Sequence, residues 1–522
     1  MSAIAANPEL QRNCRIQLRR SRMIACAVIS AAVSLSLITI NRFTPSQQIR
    51  DLFTQIFMLQ ALVLVIGGSI YCLQSVQREK DQNTFDFQRV TRLSPLTLAI
   101  GKILGAPSLM YFVALCLMPV ALWAGFAGGV SILIILQMYV VLFLGAFTFH
   151  AFAVLVSMIL EKGTSAGAMF FFLWAIGFGA IDSNNSAYQS GPLAIHALGP
   201  FWPYNLANPA TPYPGPMPSE SRYMVGPTND IFFGVSVPHV AVLIVLYLTF
   251  TACFLLALAR NIKRDPSVYE IFRPIQAFAF SLYLNFLVLG FLRWVGGNWN
   301  RVAPPVNTEW VSYPVSAGAA ESTFLVFSLF IFLMLGFTLL RSRERVRHIV
   351  REFGNSSVGW LTALWPSPYL FVGMFLCGGA ILFMIRVRQA PEQNWSLGLG
   401  FLQVAFAGAW LARDFVYLQW MRLRRIRRPI ITGLLFLIVF YTCTAVVFGA
   451  LGLFKGSSEA IAAIFIPGAV FGLDLANWEA HQSQWFVTLA LVLAQSLLFA
   501  WLQLNELRDL AAPKSTTVAA KT

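Results

Sequence analysis

Side chains able to act as nucleophile, base or metal ligand are sparse and scattered in this sequence. His196, His239 and His481 fall in predicted outer loops, at spacings that match no zinc motif. Asp182, Asn184, Asn185, Asp230, Asp474 and Glu479 read as solvated loop residues. His150 is the near-central ionisable residue of the predicted apolar spans, and a histidine satisfied by a neighbouring helix accounts for it. Arg413-Asp414 mark the cytoplasmic exit of a predicted span, unless that helix runs on to Met421. An intramembrane enzyme needs polar groups that converge, so catalysis is not expected. Ion-coupled transport needs charged ligands at mid-membrane, and the spans look almost empty of them. Cys26, Cys72, Cys116, Cys253, Cys377 and Cys443 lie in predicted spans and Cys14 in a basic segment, which points to no disulfide framework or metal cluster.

The residues whose types and spacing suggest a docking element lie in one polar stretch, Gln77 to Pro95. There Arg78, Glu79, Thr84, Phe85, Phe87, Val90 and Leu93 interleave charged with apolar side chains over two or three helical turns. Such a helix can lay its apolar side into a groove on a soluble partner. The plainer alternative is a solvated loop whose aromatic residues lie in the headgroup layer. A weaker echo occurs at one fixed offset, in Arg351, Glu352, Ser357 and Trp360, with Ser367-Pro368 matching Ser94-Pro95. Both copies follow the second span of their half, so an internal duplication is expected.

The elements that must position these residues are apolar helices. The chain has 522 residues, of which 57% are hydrophobic and 11% charged, far too apolar for a soluble globular protein of this length. A hydrocarbon core of roughly 30 Å takes about 20 apolar residues as helix, because each backbone polar group must be bonded inside its own segment. Spans are predicted near 23–40, 53–75, 104–125, 130–160, 166–181, 237–259, 275–294, 319–340, 366–385, 395–412, 430–453 and 483–503. The 166–181 and 395–412 spans are short, so eleven or thirteen crossings would also fit. The expected fold is therefore all-α and polytopic, about 12 transmembrane helices in two six-helix units covering 1–265 and 266–522.

Most of the 37 Lys and Arg residues fall in alternate loops, with few, such as Arg293 and Arg386, on the opposite side. This positive-inside pattern places both termini in the cytoplasm and explains the net charge of +15 without nucleic acid. The first apolar run lacks a small-residue cleavage site and reads as a retained helix. Ahead of it, Arg12, Arg15, Arg19, Arg20 and Arg22 with Ile16 and Leu18 suit a helix lying at the membrane interface. The run Arg422, Arg424, Arg425, Arg427 and Arg428 is an orientation signal or a site for anionic headgroups or an acidic partner. Trp123, Trp202, Trp294, Trp299, Trp365 and Trp395 near span ends read as an interfacial belt. Gly67-Gly68 and Gly378-Gly379 read as places of close helix contact.

Taken together, Arg78-Glu79, Thr84, the following amphipathic turn, Ser94-Pro95 and Gly101-Lys102 resemble the loop after the second helix of ABC-2 type permeases. One departure is Asn83, where that family usually has Gly. Asn7-Pro8 ahead of a basic interfacial helix, and Pro200-Phe201-Trp202-Pro203 in the long outer loop, are similar to the same family. The resemblance covers about 1–265 well; over 266–522 it rests on topology and the weaker echo. It implies an exporter subunit in the bacterial plasma (inner) membrane whose amphipathic turn is a coupling helix resting on an ABC ATPase. No G-x-x-x-x-G-K-[ST] string occurs, so this chain would carry no cofactor, and ATP and Mg would sit on the partner. Two ATPase subunits are expected if both halves are permease units, and a dimer of the chain if only the first is. Two other classes stay open, an ion-coupled secondary transporter and a non-transporting membrane scaffold or assembly protein.

Overall fold

A computed structural model describes residues 7–42, 48–159, 229–264 except 234, 272–291, 317–347 except 342 and 345, 367–387, 396–424, 426, 429–450, 463–464 and 475–511. Its internal contacts divide the chain into two units, Met1–Ile271 and Phe272–Thr522. Among the described residues eight helices are long and apolar enough to cross a membrane, with several shorter apolar helices beside them. Among the described residues an antiparallel pair of strands, β1 (Asn229–Phe232) and β2 (Val235–Pro238), precedes the helix that starts at His239.

The first unit opens with α1 (Pro8–Gln17), followed by α2 (Arg20–Arg42) and α3 (Gln48–Ala61). A π-helical turn, Leu62–Gly67, carries α3 into α4 (Gly68–Asp81). Then come α5 (Phe85–Val90), α6 (Pro95–Gly105), α7 (Ser108–Ala127), α8 (Ile132–Ile159) and α9 (His239–Asn261). The sequence expectation of a single span from 104 is corrected here. Pro107 has no N–H to continue the ladder, so α6 closes at Gly105 and α7 starts afresh at Ser108. The predicted 166–181 span lies outside the described residues.

Core packing in this unit joins α4, α6, α8 and α9 through Leu73, Val76, Leu98, Ile103, Val154 and Leu258. Polar groups inside the bundle find partners, as they must where water is excluded. Gln60 on α3 donates to Ala114 O at 2.9 Å and accepts from Tyr139 at 3.0 Å. His150 on α8 bonds Leu64 O within the π-turn at 2.8 Å and Tyr111 Oη at 3.0 Å, so its neighbours are both α7 and the turn. Gly68 faces that imidazole, and a Cβ there would stand 2.1 Å from His150 Nε2.

The second unit contains α10 (Pro274–Phe291), α11 (Ala317–Leu339), α12 (Ser367–Val387), α13 (Leu397–Leu423), α14 (Pro429–Ala450), α15 (Leu475–Ala480) and α16 (Gln482–Ala511). Its axis is α13, which packs on α11, α12, α14 and α16 and buries most of its length. One core cluster sets Phe324 and Phe332 against Met374, Ile381, Val404 and Phe415. Another sets Phe406 and Trp410 against Trp478 and Trp485. Close approach is allowed at Gly336 beneath the Phe415 ring and at Gly378 beneath Val404, whereas Gly379 faces open space.

The steric reading of Gly68 is testable. Gly68→Ala is expected to cost about 1–3 kcal/mol, because the imidazole must leave its bonds to make room. Adding His150→Ala should remove much of that penalty, so thermal unfolding of the purified chain should show the two losses to be non-additive.

Candidate functional site

The sequence resemblance directs attention to residues 77–95, and the structure ties that stretch into its unit at both ends. Helix α4 runs through Arg78 to Asp81 and stops on a Schellman motif. Thr84 N donates to Glu79 O at 2.9 Å and Asn83 N to Lys80 O at 3.2 Å. Asn83 occupies the left-handed position that this motif requires, with φ 55°. Asparagine is among the few residues besides glycine that visit this region routinely, so the departure at Asn83 keeps the turn's geometry.

Beyond the turn, α5 is a single short helix whose side chains divide cleanly. Phe85 is 4% exposed and packs in the core cluster with Cys72, Val76 and Leu98. Leu93 is partly buried against the same cluster. Phe87 and Val90 are 73% and 82% exposed, and Arg78 is exposed with its guanidinium on Gln74. The stretch therefore holds itself to the bundle through Phe85 and Leu93 and offers Phe87 and Val90 outward. Arg351, Glu352, Ser357 and Trp360 lie outside the described residues.

Glu79 is not part of a solvated loop. It is buried beside Lys102, whose side chain is fully covered, and Arg12; its two carboxylate oxygens take one cation each. Glu9 completes the group, 3.3 Å from Lys102 Nζ and 3.0 Å from both Arg12 and Asn13. Two carboxylates thus meet two cations, which lets charges lie out of water without a net deficit. The four residues come from α1, α4 and α6, and so lock three elements together.

Local sequence explains how α1 reaches this place. Asn7 caps α1 by accepting from Glu9 N at 3.0 Å, with Pro8 at the first helical position. Its amide also donates to Thr97 O at 2.7 Å, and Ser94-Pro95 starts α6 in the same way, with Thr97 N on Ser94 Oγ at 3.1 Å. Gly101 and Gly105 remove the side chains that would otherwise hold α1 away. A Cβ on either would stand 2.8 Å from Glu9 Cβ or Asn13 Cβ. Cys14 lies on the same helix, where burial pushes its thiol up from the usual range and a Ser108 hydrogen bond opposes the rise.

Two further lysines finish the junction. Lys80 Nζ donates to Ser157 O and Met158 O, both at 2.8 Å, and so ties the end of α4 to α8. Lys263, just after α9, donates to Thr91 O at 2.8 Å. Sequence reasoning passed over Lys80, Lys102, Glu9 and Lys263 as site residues. Asn7-Pro8 and Ser94-Pro95 stand plainly in the sequence, but nothing in local spacing pairs residue 9 with 79 or 102.

A second charged cluster lies in the other unit and corrects the expectation for Arg413 and Asp414. The helix does not end at 412; α13 continues to Leu423, and both residues are buried within it. Arg413 bonds Asp414 at 3.0 Å, Ile464 O at 2.9 Å, Gln495 at 3.1 Å and Tyr441 at 2.5 Å, while Tyr441 donates to Asp414 at 2.5 Å. These partners make a helix exit unnecessary, since each charge finds its counterpart inside the protein. Glu321 on α11 is also fully buried, its carboxylate against Gly400. The spans are therefore less empty of charge than the sequence suggested.

The remaining sequence candidates are placed more simply. His239 opens α9, His481 sits in the turn before α16, and His196 lies outside the described residues. Trp123 is exposed near the end of α7; the other five belt tryptophans lie outside the described residues. No family model, curated protein or solved structure matches the chain. The fold defines a helical, multi-pass membrane protein.

Lys102→Met is expected to destabilise the first unit by about 3–5 kcal/mol, because it leaves two buried carboxylates with a single, partly exposed cation. Asn83→Gly should be tolerated, whereas Asn83→Val should cost about 1–2 kcal/mol for a branched residue at positive φ. Melting curves of the purified variants check both.

Proposed function

We propose that this chain is the membrane-spanning permease of an ATP-driven exporter of the ABC-2 type. Separate nucleotide-binding subunits, two for a chain of two permease units, bind ATP and Mg and press on its cytoplasmic turns. The reading takes twelve helices in two six-helix units, with both termini cytoplasmic, in a bacterial inner membrane; its support is the eight helices, among the described residues, that are long and apolar enough to cross a membrane.

The observation that carries this reading is the build of the 77–95 junction. A coupling element must be stiff on the side of the bundle and open on the side of the motor. Stiffness is supplied by Glu79, Lys102, Arg12 and Glu9, by the Schellman turn and by Phe85 in the core. The open side carries Phe87 and Val90, apolar groups suited to a pocket on a soluble partner. Force applied there would reach α4 and α6 directly and α8 through Lys80. Transport then follows if ATP has different affinity for the two arrangements of the helices.

A second reading, an ion-coupled secondary transporter, is favoured by one observation, the buried charges Arg413, Asp414 and Glu321 in the second unit. It requires transport by the reconstituted chain alone under an ion gradient.

Phe87→Asp combined with Val90→Asp should lower co-purification with an ATPase by at least about tenfold while leaving the melting temperature unchanged. Equal recovery of the ATPase with the variant, or transport by the isolated chain without ATP, would sink the exporter reading.

A further inference from the structure

The corner where α1 meets α2 carries a charge that no acidic side chain among the described residues compensates. Arg15, Arg19, Arg20 and Arg22 are all exposed and fall within eight residues of one another. Arg12, the remaining arginine of this stretch, is taken by Glu9 and Glu79. Among the described residues the side chains of Arg15, Arg19 and Arg20 form no hydrogen bond or ion pair, and that of Arg22 makes a single bond, at 3.4 Å to Gln17. No Asp or Glu occurs between Glu9 and Asp51, so the local sequence provides no counter-ion.

The position of this corner matters as much as its charge. Helix α2 begins at Arg20 and almost at once exposes Ile24, Val28 and Ile29, an apolar face suited to acyl chains. Ile16 is exposed on α1 beside the arginines. The opposite side of α1 is polar, Glu9, Asn13 and Gln17, and is buried in the unit. The arginines thus stand at the end of a helix long and apolar enough to cross a membrane, where its exposed apolar surface starts.

The other basic run makes a useful contrast. In its described part Arg422 donates to Leu340 O and Arg424 pairs with Glu506 at 3.6 Å. Those two cations serve the fold, whereas the side chains of Arg15, Arg19 and Arg20 find no partner among the described residues and that of Arg22 finds only Gln17.

We infer that the α1–α2 corner is a binding site for an anionic phospholipid headgroup, with Arg15, Arg19, Arg20 and Arg22 gripping the phosphate and the Ile24, Val28 and Ile29 face receiving the acyl chains. Arginine suits this ligand because its planar fork bonds two phosphate oxygens at once. Several basic side chains at the surface of a span attract anionic lipid additively, and salt weakens the attraction. The inference is independent of the exporter reading, since it needs neither an ATPase nor transport.

The test uses the full chain, purified in mild detergent and titrated with phosphatidylglycerol or phosphatidylcholine, with bound lipid counted by native mass spectrometry. Wild type should retain phosphatidylglycerol in preference to phosphatidylcholine, with the preference falling as salt rises. Changing all four arginines to Gln should cut that preference at least about tenfold, and changing them to Lys should keep most of it. Inorganic phosphate should fail to displace the lipid, because it lacks the chains that the isoleucine face receives. Equal retention of both lipids by wild type, or an undiminished preference in a folded Gln variant, would overturn the inference. So would displacement of the lipid by free phosphate.

Discussion

A lysine side chain with no exposed surface is costly unless its charge is answered at close range, and Lys102 is answered by Glu79 and Glu9. That arrangement obliges α1 to lie on α6, because α1 brings both Glu9 and Arg12 to the cluster. It obliges the last turn of α4 to come to the same place. Once these elements are joined, the turn at Asn83 and the short helix after it have one place to go. Phe85 enters the core and Phe87 is left outside. The glycines at 101 and 105 belong to the same constraint, since the ions cannot meet unless the helices approach.

The second unit solves a similar problem differently. Its buried pair, Arg413 and Asp414, is held within a long helix by groups from α14 and α16 and by one backbone carbonyl. In both units the rule is that of a medium without water: a charge or amide inside the bundle is admitted only with its partners. Gln60, His150 and Thr148 follow it as well, the last through Thr251 and Tyr247 O.

Much of the helical pattern was legible because lipid imposes a composition as well as a period. Runs such as 132–159 and 239–261 contain nearly continuous apolar residues, and no other secondary structure could hide their backbone. The start of α1 was legible from Asn7-Pro8 ahead of the basic segment, whereas α6 was not, since the next span was expected only from 104 although Ser94-Pro95 carries cap and first-turn chemistry together. The true length of α13 was less so, because Arg413-Asp414 looks like a helix exit until Tyr441 and Gln495 are placed beside it. The ion cluster was not legible at all. Its residues, 9, 12, 79 and 102, are neighbours only after α1, α4 and α6 have packed, and each alone reads as a solvated charge. The π-turn at Leu62–Gly67 gave no local signal beyond Gly67-Gly68.

Residues 85–90 form a turn with Phe85 in the bundle and Phe87 outside it, and the exporter reading requires that outer face to meet the cytosol. Single cysteines at Phe85, Phe87 and Val90, in an otherwise cysteine-free chain, can be probed with a membrane-impermeant maleimide in inside-out and right-side-out vesicles. The expected result is fast labelling at 87 and 90 from the cytoplasmic side alone, with position 85 protected until the protein is denatured. Labelling of 85 as readily as 87, or labelling of 87 from the opposite side, would contradict it.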